Sequence, residues 1–261
     1  MQLYSRLKQY YKYLRAWKKL NSRKSLIRDN ELTAKELDFY SKLIKKDDLC
    51  FDIGANIGDK TMLFLQLGAK VVAIEPQECC WRVLRRRFQN CNVSVESFAL
   101  ADKEGSMTLF IDRSHTLATL SKDWIRTVSQ SGRFSGHNWA GKLSVRTTTL
   151  DNLIKKYGKP AFCKIDVEGA EYEVLKGLSQ SVNIISIEFV SERIEPSIKC
   201  IDYLSKLGKA EFNYYLGGSM SFELACWVDS GRIKTILTNM EKKIDNYGEL
   251  YIRFVDNRNG N

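Results

Sequence analysis

Short apolar runs alternate along the chain with stretches in which apolar residues return every three or four positions. The runs Leu49–Asp52, Val71–Glu75, Asn92–Ser97, Ala161–Asp166, Ile184–Phe189, Glu211–Tyr215 and Leu250–Phe254 predict strands. The segments Lys60–Leu67, Cys79–Phe88, Ala170–Lys176, Ser197–Lys206 and Arg232–Lys243 predict helices between them. Such alternation predicts an α/β fold with a mostly parallel sheet covered on both faces. Two elements precede it. Leu3, Leu7, Tyr10, Leu14 and Trp17 form an apolar stripe on a helix within residues 1–30. Thr33 and Glu36 then form a T-x-x-E capping pattern that opens a second helix through Leu37, Tyr40 and Leu43, ended by Asp47 and Asp48.

One segment breaks the pattern. Met107–Ile111 and Leu143–Thr148 predict strands, and residues 112–142 between them are rich in Ser, Gly and charge. Loops of this length in a compact domain carry function or lie open on the surface. This one holds both histidines, His115 and His137, with Trp124 and Trp139, and is expected to form a lid over the active site.

The densest chemistry lies where the first predicted strand ends. Residues 49–58 read L-C-F-D-I-G-A-N-I-G, and the second strand ends in Glu75. Gly54 and Gly58 carry no Cβ, so they are expected to let the chain turn sharply and a ligand come close. A phosphate-cradling P-loop needs G-x-x-x-x-G-K-[ST], but Asp59 occupies the second glycine position and would oppose phosphate charge. A dinucleotide turn needs G-x-G-x-x-G, and Asn56 replaces its second glycine. The turn G-x-N-x-G, preceded by Asp52, suits a nucleoside ligand without a phosphate chain, such as S-adenosylmethionine. The carboxylate of Glu75 suits a ribose diol, because it accepts hydrogen bonds from both hydroxyls.

Further along, residues 164–178 read K-I-D-V-E-G-A-E-Y-E-V-L-K-G-L, and this run resembles the signature of FkbM-type methyltransferases. D-I-G-A-N-I-G, V-V-A-I-E-P (71–76), F-A-L-A-D-K-E-G (98–105), T-L-D-N-L (149–153) and Y-G-E-L-Y-I-R (247–253) are similar to that family's other motifs, in the same order. Ser97 stands where the family often has Asn, on the adenine side. The resemblance implies the class I fold, a Rossmann-like doubly wound sheet of seven strands with the last reversed. It also implies S-adenosylmethionine as cofactor and O-methylation of sugars, glycans or natural products. On this reading Asp52, Gly54, Asn56, Gly58, Glu75 and Ser97 form the cofactor site.

The acceptor chemistry is expected beyond the fourth strand. Asp166 and Glu168 are candidates for a base and its orienting partner, or for a shared divalent ion, although Glu168 also suits a helix N-terminus. Lys164 is expected to point away from this set. Glu188, within I-S-I-E-F, is a further acid, and His115 is a candidate base from the insertion.

Composition narrows the setting. At 261 residues and 44% hydrophobic, the chain can bury one sizeable core, giving a domain over 31–261 behind the 1–30 helix. No run is long and apolar enough to cross a bilayer, and the N-terminus has no apolar signal core. Seven cysteines without a C-x-x-C pair fit a reduced cytoplasm and exclude a spaced zinc site. The net charge of +10 is concentrated: residues 1–30 hold nine Lys/Arg and one acid, leaving 32 basic and 30 acidic residues elsewhere. The basic helix is therefore expected to meet an anionic surface or a second subunit, or simply to face solvent. A nucleic-acid methyltransferase is an alternative, but Pro76, Pro160 and Pro196 precede Gln, Ala and Ser, so neither P-P-[YFW] nor Pro-Cys occurs and no sequence-specific nucleic acid is expected. An NAD-dependent oxidoreductase and a non-enzymatic scaffold are the remaining alternatives.

Overall fold

The computed structural model describes residues 30–255, so the apolar stripe Leu3–Trp17 and the nine basic residues of the 1–30 helix lie outside the described residues. Helix α1 (Asn30–Ser41) leads into β1 (Leu49–Ile53), α2 (Asp59–Gln66), β2 (Lys70–Ile74), α3 (Glu78–Arg87) and β3 (Val93–Glu96). The insertion follows, with β4 (Ala99–Leu100), β5 (Gly105–Ile111), α4 (Lys122–Ser131) and β6 (Gly141–Thr148). The chain then continues through α5 (Leu150–Tyr157), β7 (Phe162–Ile165), α6 (Glu171–Lys176), β8 (Ile184–Val190), α7 (Glu195–Leu207), β9 (Ala210–Leu216), α8 (Ser230–Thr238) and β10 (Tyr247–Phe254).

Seven strands form one sheet in the order β3-β2-β1-β7-β8-β10-β9. All neighbours run parallel except β10, which is antiparallel to both β8 and β9. This is the Rossmann-like order with a reversed last strand that the motifs imply. Strand order reverses between β1 and β7, and the tips of such a switch point are where open α/β sheets bind ligands.

Alternation along the strands builds two cores. Phe51, Ile53, Cys163 and Ile165 point to the face where Leu150, Val174, Ile201 and Ile233 of α5, α6, α7 and α8 cover them. Cys50 and Phe162 point to the opposite face, against Phe39 and Tyr40 of α1 and Phe64 of α2. There the rings of Tyr40, Phe64 and Phe162 meet edge to face at 5.4–5.8 Å, the arrangement that ring quadrupoles favour.

Several expectations need correction. Helix α1 already includes Asn30, the first described residue, so Thr33 lies inside it, and it ends at Ser41, well before Asp47. Helix α8 stops at Thr238 and not Lys243. T-L-D-N-L opens α5, the helix before β7, where Thr149 caps it by accepting the Asn152 N–H at 3.1 Å. Residues 112–142 are not one open loop: α4 buries Trp124 and Val128 against Phe110, Leu117 and Trp139. Strands β4, β6 and β5 form a separate three-stranded sheet from which this unit projects.

The tips of β1 and β7 touch through backbone. Gly54 has φ 82°, and a Cβ on it would stand 1.8 Å from the Asp166 carbonyl oxygen. A Gly54→Ala change is therefore expected to cost more than about 3 kcal/mol, through both clash and left-handed strain. Gly132→Ala, also at positive φ but with open space around it, should cost only about 1 kcal/mol. Urea unfolding checks the pair, and equal losses would contradict the close approach.

Candidate active site

A cavity of about 420 Å³ opens at the strand tips, walled by β1, β2 and β7 and by residues of the insertion. At one end stands Glu75, one residue past β2 and buried. Its Oε2 accepts the Asn56 N–H at 3.0 Å and its Oε1 the Gln77 N–H at 2.7 Å. Asn56 adopts φ 51°, the left-handed conformation that asparagine tolerates best after glycine, and so turns its N–H toward the acid. Burial pushes the Glu75 carboxyl up from 4.5 to about 7, against the pull of these two N–H groups. The side-chain amides of Asn56 and Gln77 both donate to the His115 carbonyl, at 3.1 and 2.8 Å. The insertion is thereby tied to the glycine turn.

The other end is acidic. Asp166 and Glu168 line it, and their carboxylate oxygens lie within 4.8 Å of each other and of one from Glu188, which is outside the lining. Asp166 follows β7, Glu188 sits within β8, and Glu168 is held at φ 54° in the loop that opens α6. A non-glycine residue in that region stores backbone strain of order 1–3 kcal/mol. Hydrogen bonds hold the loop: Thr119 of the insertion donates to the Glu168 carbonyl at 2.6 Å, and buried Glu171 accepts the N–H groups of Val167 and Gly169 at 3.3 and 3.0 Å. Burial, then repulsion from Glu188 and Asp166, raises the Glu168 carboxyl well above the carboxylate range. Burial, then Asp166 and Glu171, does the same to Glu188.

Lys164 corrects the expectation that it points away. A strand's period of two puts Lys164 and Asp166 on the same face, and its Nζ lies 2.6 Å from Asp166 and 3.7 Å from Glu249. Burial alone would discharge the amine, but Asp166, Glu249 and Asp52 hold it charged and raise it well above its ordinary value. Glu249 in turn accepts from Tyr251 at 2.8 Å, and Asp52 accepts the Thr61 hydroxyl of α2 at 2.5 Å. The acids on this face thus share one buried cation.

Asp52, Gly54, Asn56, Glu75, His115, Asp166 and Glu168 all line the one cavity. Gly58 and Ser97 do not. Gly58 serves packing: at φ 89° it precedes α2, and a Cβ there would meet Phe88 and Leu84 of the α3 region at 2.5 and 2.7 Å. Ser97 follows β3 outside the lining, and Ala99 and Leu100 supply the wall instead. His115 sits beside the Asn56–Gln77 turn and outside the acid cluster, its Nδ1 buried without a hydrogen-bond partner. Burial lowers its affinity for a proton, and Asp59 opposes this only in part. Gln77 is not among the residues the motifs point to, and its signal is only positional: Pro76 has no N–H, so Gln77 carries the first backbone N–H after Glu75.

The buried acids make stability fall with pH. Burial raises Glu75 and Glu171 from 4.5 to about 7, so between those values the folded chain binds more protons than the unfolded chain. Unfolding free energy should therefore fall as pH rises from 4.5 to 7 and level off above, by up to about 3 kcal/mol per acid. His115, lowered by burial, works in the opposite sense. Melting curves from pH 5 to 8 check this: the melting temperature should fall, and Glu171→Gln should reduce the fall. A rising melting temperature would contradict it.

Comparison with known proteins identifies the family. The model of the methyltransferase FkbM domain matches residues 52–211. The chain is 28% identical over 151 residues to the hexuronic acid methyltransferase AglP of Haloferax volcanii, covering 55% of this chain and 56% of that protein. It is 30% identical over 176 residues to the methyltransferase sdnD of Sordaria araneosa, covering 56% of this chain and 66% of that one. The match thus spans less than two thirds of either relative's length. Among solved structures, a TehB-like SAM-dependent methyltransferase of Corynebacterium glutamicum overlays with a TM-score of 0.47 at 8% identity, over 94% of this chain and 97% of that one. On the family match, covering the turn, the Glu75 strand and the β7 loop together, the chain belongs to the FkbM family of methyltransferases.

Proposed function

We propose that the protein transfers a methyl group from S-adenosylmethionine to a hydroxyl oxygen of a sugar, glycan or natural product. The observation that carries this reading is the position of Glu75: a buried carboxylate at the tip of β2, aimed by two backbone N–H groups and facing a cavity whose far wall is acidic. The residues fit the cofactor. Each Glu75 oxygen accepts one N–H and keeps a further lone pair for a ribose hydroxyl. Ile74, Leu100 and Leu109 supply apolar wall for a flat base. The lining lysines, Lys60 and Lys164, are already paired with Glu36 and Asp166, so the cavity favours a cation over a phosphate chain.

S-adenosylmethionine, when bound, supplies a methyl group on a positively charged sulfur. The chain's task is alignment and proton removal. The acceptor oxygen forms the new O–C bond as the C–S bond breaks and its electron pair returns to sulfur. The hydroxyl proton passes to a carboxylate of the Asp166–Glu168–Glu188 cluster. Carboxyls raised by burial and mutual repulsion are stronger bases than exposed ones, which suits a hydroxyl. Asp166 is positioned for this by Lys164. Glu75, Asn56, Asp52 and Gly54 hold the cofactor, while His115 closes its pocket and residues 112–142 act as the lid. Should the enzyme use a divalent cation, the same three carboxylates supply the oxygen ligands such an ion prefers. The acceptor class draws support from the relative named for hexuronic acid. Seven free thiols support a cytoplasmic setting, and no helix of the described residues is long and apolar enough to cross a membrane.

Two outcomes follow. Glu75→Gln should weaken binding of S-adenosylhomocysteine by about 10- to 100-fold, since a carboxylate's hydrogen bonds are worth roughly 1.5–3 kcal/mol each. In the native chain affinity should rise from pH 6 to pH 8, because the Glu75 carboxyl near 7 must lose its proton to accept from the ribose. Titration calorimetry reads both, and unchanged affinity would remove the ribose assignment. Separately, Glu168→Gln and Glu188→Gln should lower kcat by roughly 10²–10⁴ while raising the melting temperature through relief of buried repulsion. Full turnover in both variants would rule out Glu168 and Glu188 as the base.

A further inference from the structure

A second recess, of about 590 Å³, opens beside the cavity between the insertion and the start of α7. Leu120 lines both spaces, and Glu168 of the first is followed directly by Gly169 of the second. The recess is walled in part by the rings of Phe110 and Tyr172 and carries five charged residues: Lys122, Asp123, Glu173, Arg193 and Lys199.

The charges are not balanced against one another. Asp123 is paired with Arg126 at 3.1 Å and Glu173 with Lys176 at 2.6 Å, each on its own helix. Among the described residues the three cations have no carboxylate partner. Arg193 reaches only the Gly169 carbonyl, at 3.3 Å, and Lys122 stands 5.8 Å from the centre of the Phe110 ring. Lys199 is exposed. The neighbouring cavity is lined by Asp52, Asp59, Glu75, Asp166 and Glu168, and its two lysines, Lys60 and Lys164, are already paired with Glu36 and Asp166, so it disfavours an anion. An acceptor bearing an acidic group must therefore keep that group out of the cavity, and this recess is where cations are free to take it.

We propose that the recess is the acceptor subsite, and that Arg193 and Lys199, with Lys122, bind a carboxylate or phosphate on a sugar acceptor. The assignment rests on the methyltransferase reading above. The guanidinium of Arg193 offers paired donors to a planar or tetrahedral anion, and the lysines add point charge. Phe110 and Tyr172 present apolar ring surface for the C–H face of a sugar ring. Arg193 also grips the loop that carries Glu168, so the anion is held next to the base cluster.

The test uses the full chain saturated with S-adenosylhomocysteine and titrated with three phenyl-glycoside-sized probes: a glucuronide, a glucose phosphate and a neutral glucoside. At least one anion should bind ten times or more tighter than the neutral probe, and the ratio between the two anions shows whether a carboxylate or a phosphate is preferred. Arg193→Gln and Lys199→Gln should each weaken that anion about tenfold, with S-adenosylhomocysteine affinity kept within twofold. Lys199 is exposed, so its variant reports on binding even if Arg193→Gln disturbs the Gly169 loop. Equal binding of all three probes, no anion binding, or a preference that survives both substitutions would overturn the proposal. Failure of S-adenosylhomocysteine itself to bind would instead strike the methyltransferase reading, which the first titration step shows separately.

Discussion

The approach of β1 to β7 at their tips is the constraint on which the site depends. Gly54 lies so close to the Asp166 carbonyl that no side chain fits between them. The Asp166 N–H in turn donates to the Ile53 carbonyl at 2.9 Å. The contact joins two stretches distant in sequence: the turn that faces Glu75 and the loop that carries Asp166 and Glu168. Without it a cofactor turn and an acid cluster would remain separate features of the sheet. With it they become opposite walls of one cavity. The insertion seals the arrangement with three side-chain hydrogen bonds, two onto the His115 carbonyl and one from Thr119.

Gathering acids at buried tips costs solvation energy, and the fold offsets it with few groups. Lys164 serves Asp166, Glu249 and Asp52 from one buried position. Glu75 and Glu171 are satisfied by backbone N–H groups instead. Glu168 and Glu188 are buried beside Asp166 and Glu171, with Lys164 opposing only in part, so they hold protons more tightly than ordinary carboxyls. Their strain belongs to the site and not to the core, the usual place for function to override stability.

Much of this was legible in the sequence. Strand positions were readable because parallel strands buried on both faces leave short, continuous apolar runs. Glu75 and Asp166 were readable because each is the polar residue that closes such a run. Other features were not. Gly58 carries the same signal as Gly54, yet one glycine admits α3 side chains and the other a backbone oxygen, a difference set by tertiary contact. Ser97 sits at a strand end like Glu75 and Asp166, but the chain turns so that Ala99 and Leu100 face the cavity. Helix α4 was hidden by its Ser and charge content, because it buries only Trp124 and Val128. Lys164 could have been placed from alternation alone, and the register of Asp52 with Lys164 then brings its buried partners together.

The account stands on one placement: an adenosine bound by Glu75, with its sulfur turned toward the carboxylates beyond β7. The most direct measurement is a crystal structure of the chain grown with S-adenosylhomocysteine. The account predicts both ribose hydroxyls within hydrogen-bond range of the Glu75 oxygens and the sulfur facing Asp166, Glu168 and Glu188. A ribose bound away from Glu75, or a sulfur pointing away from that cluster, would contradict it.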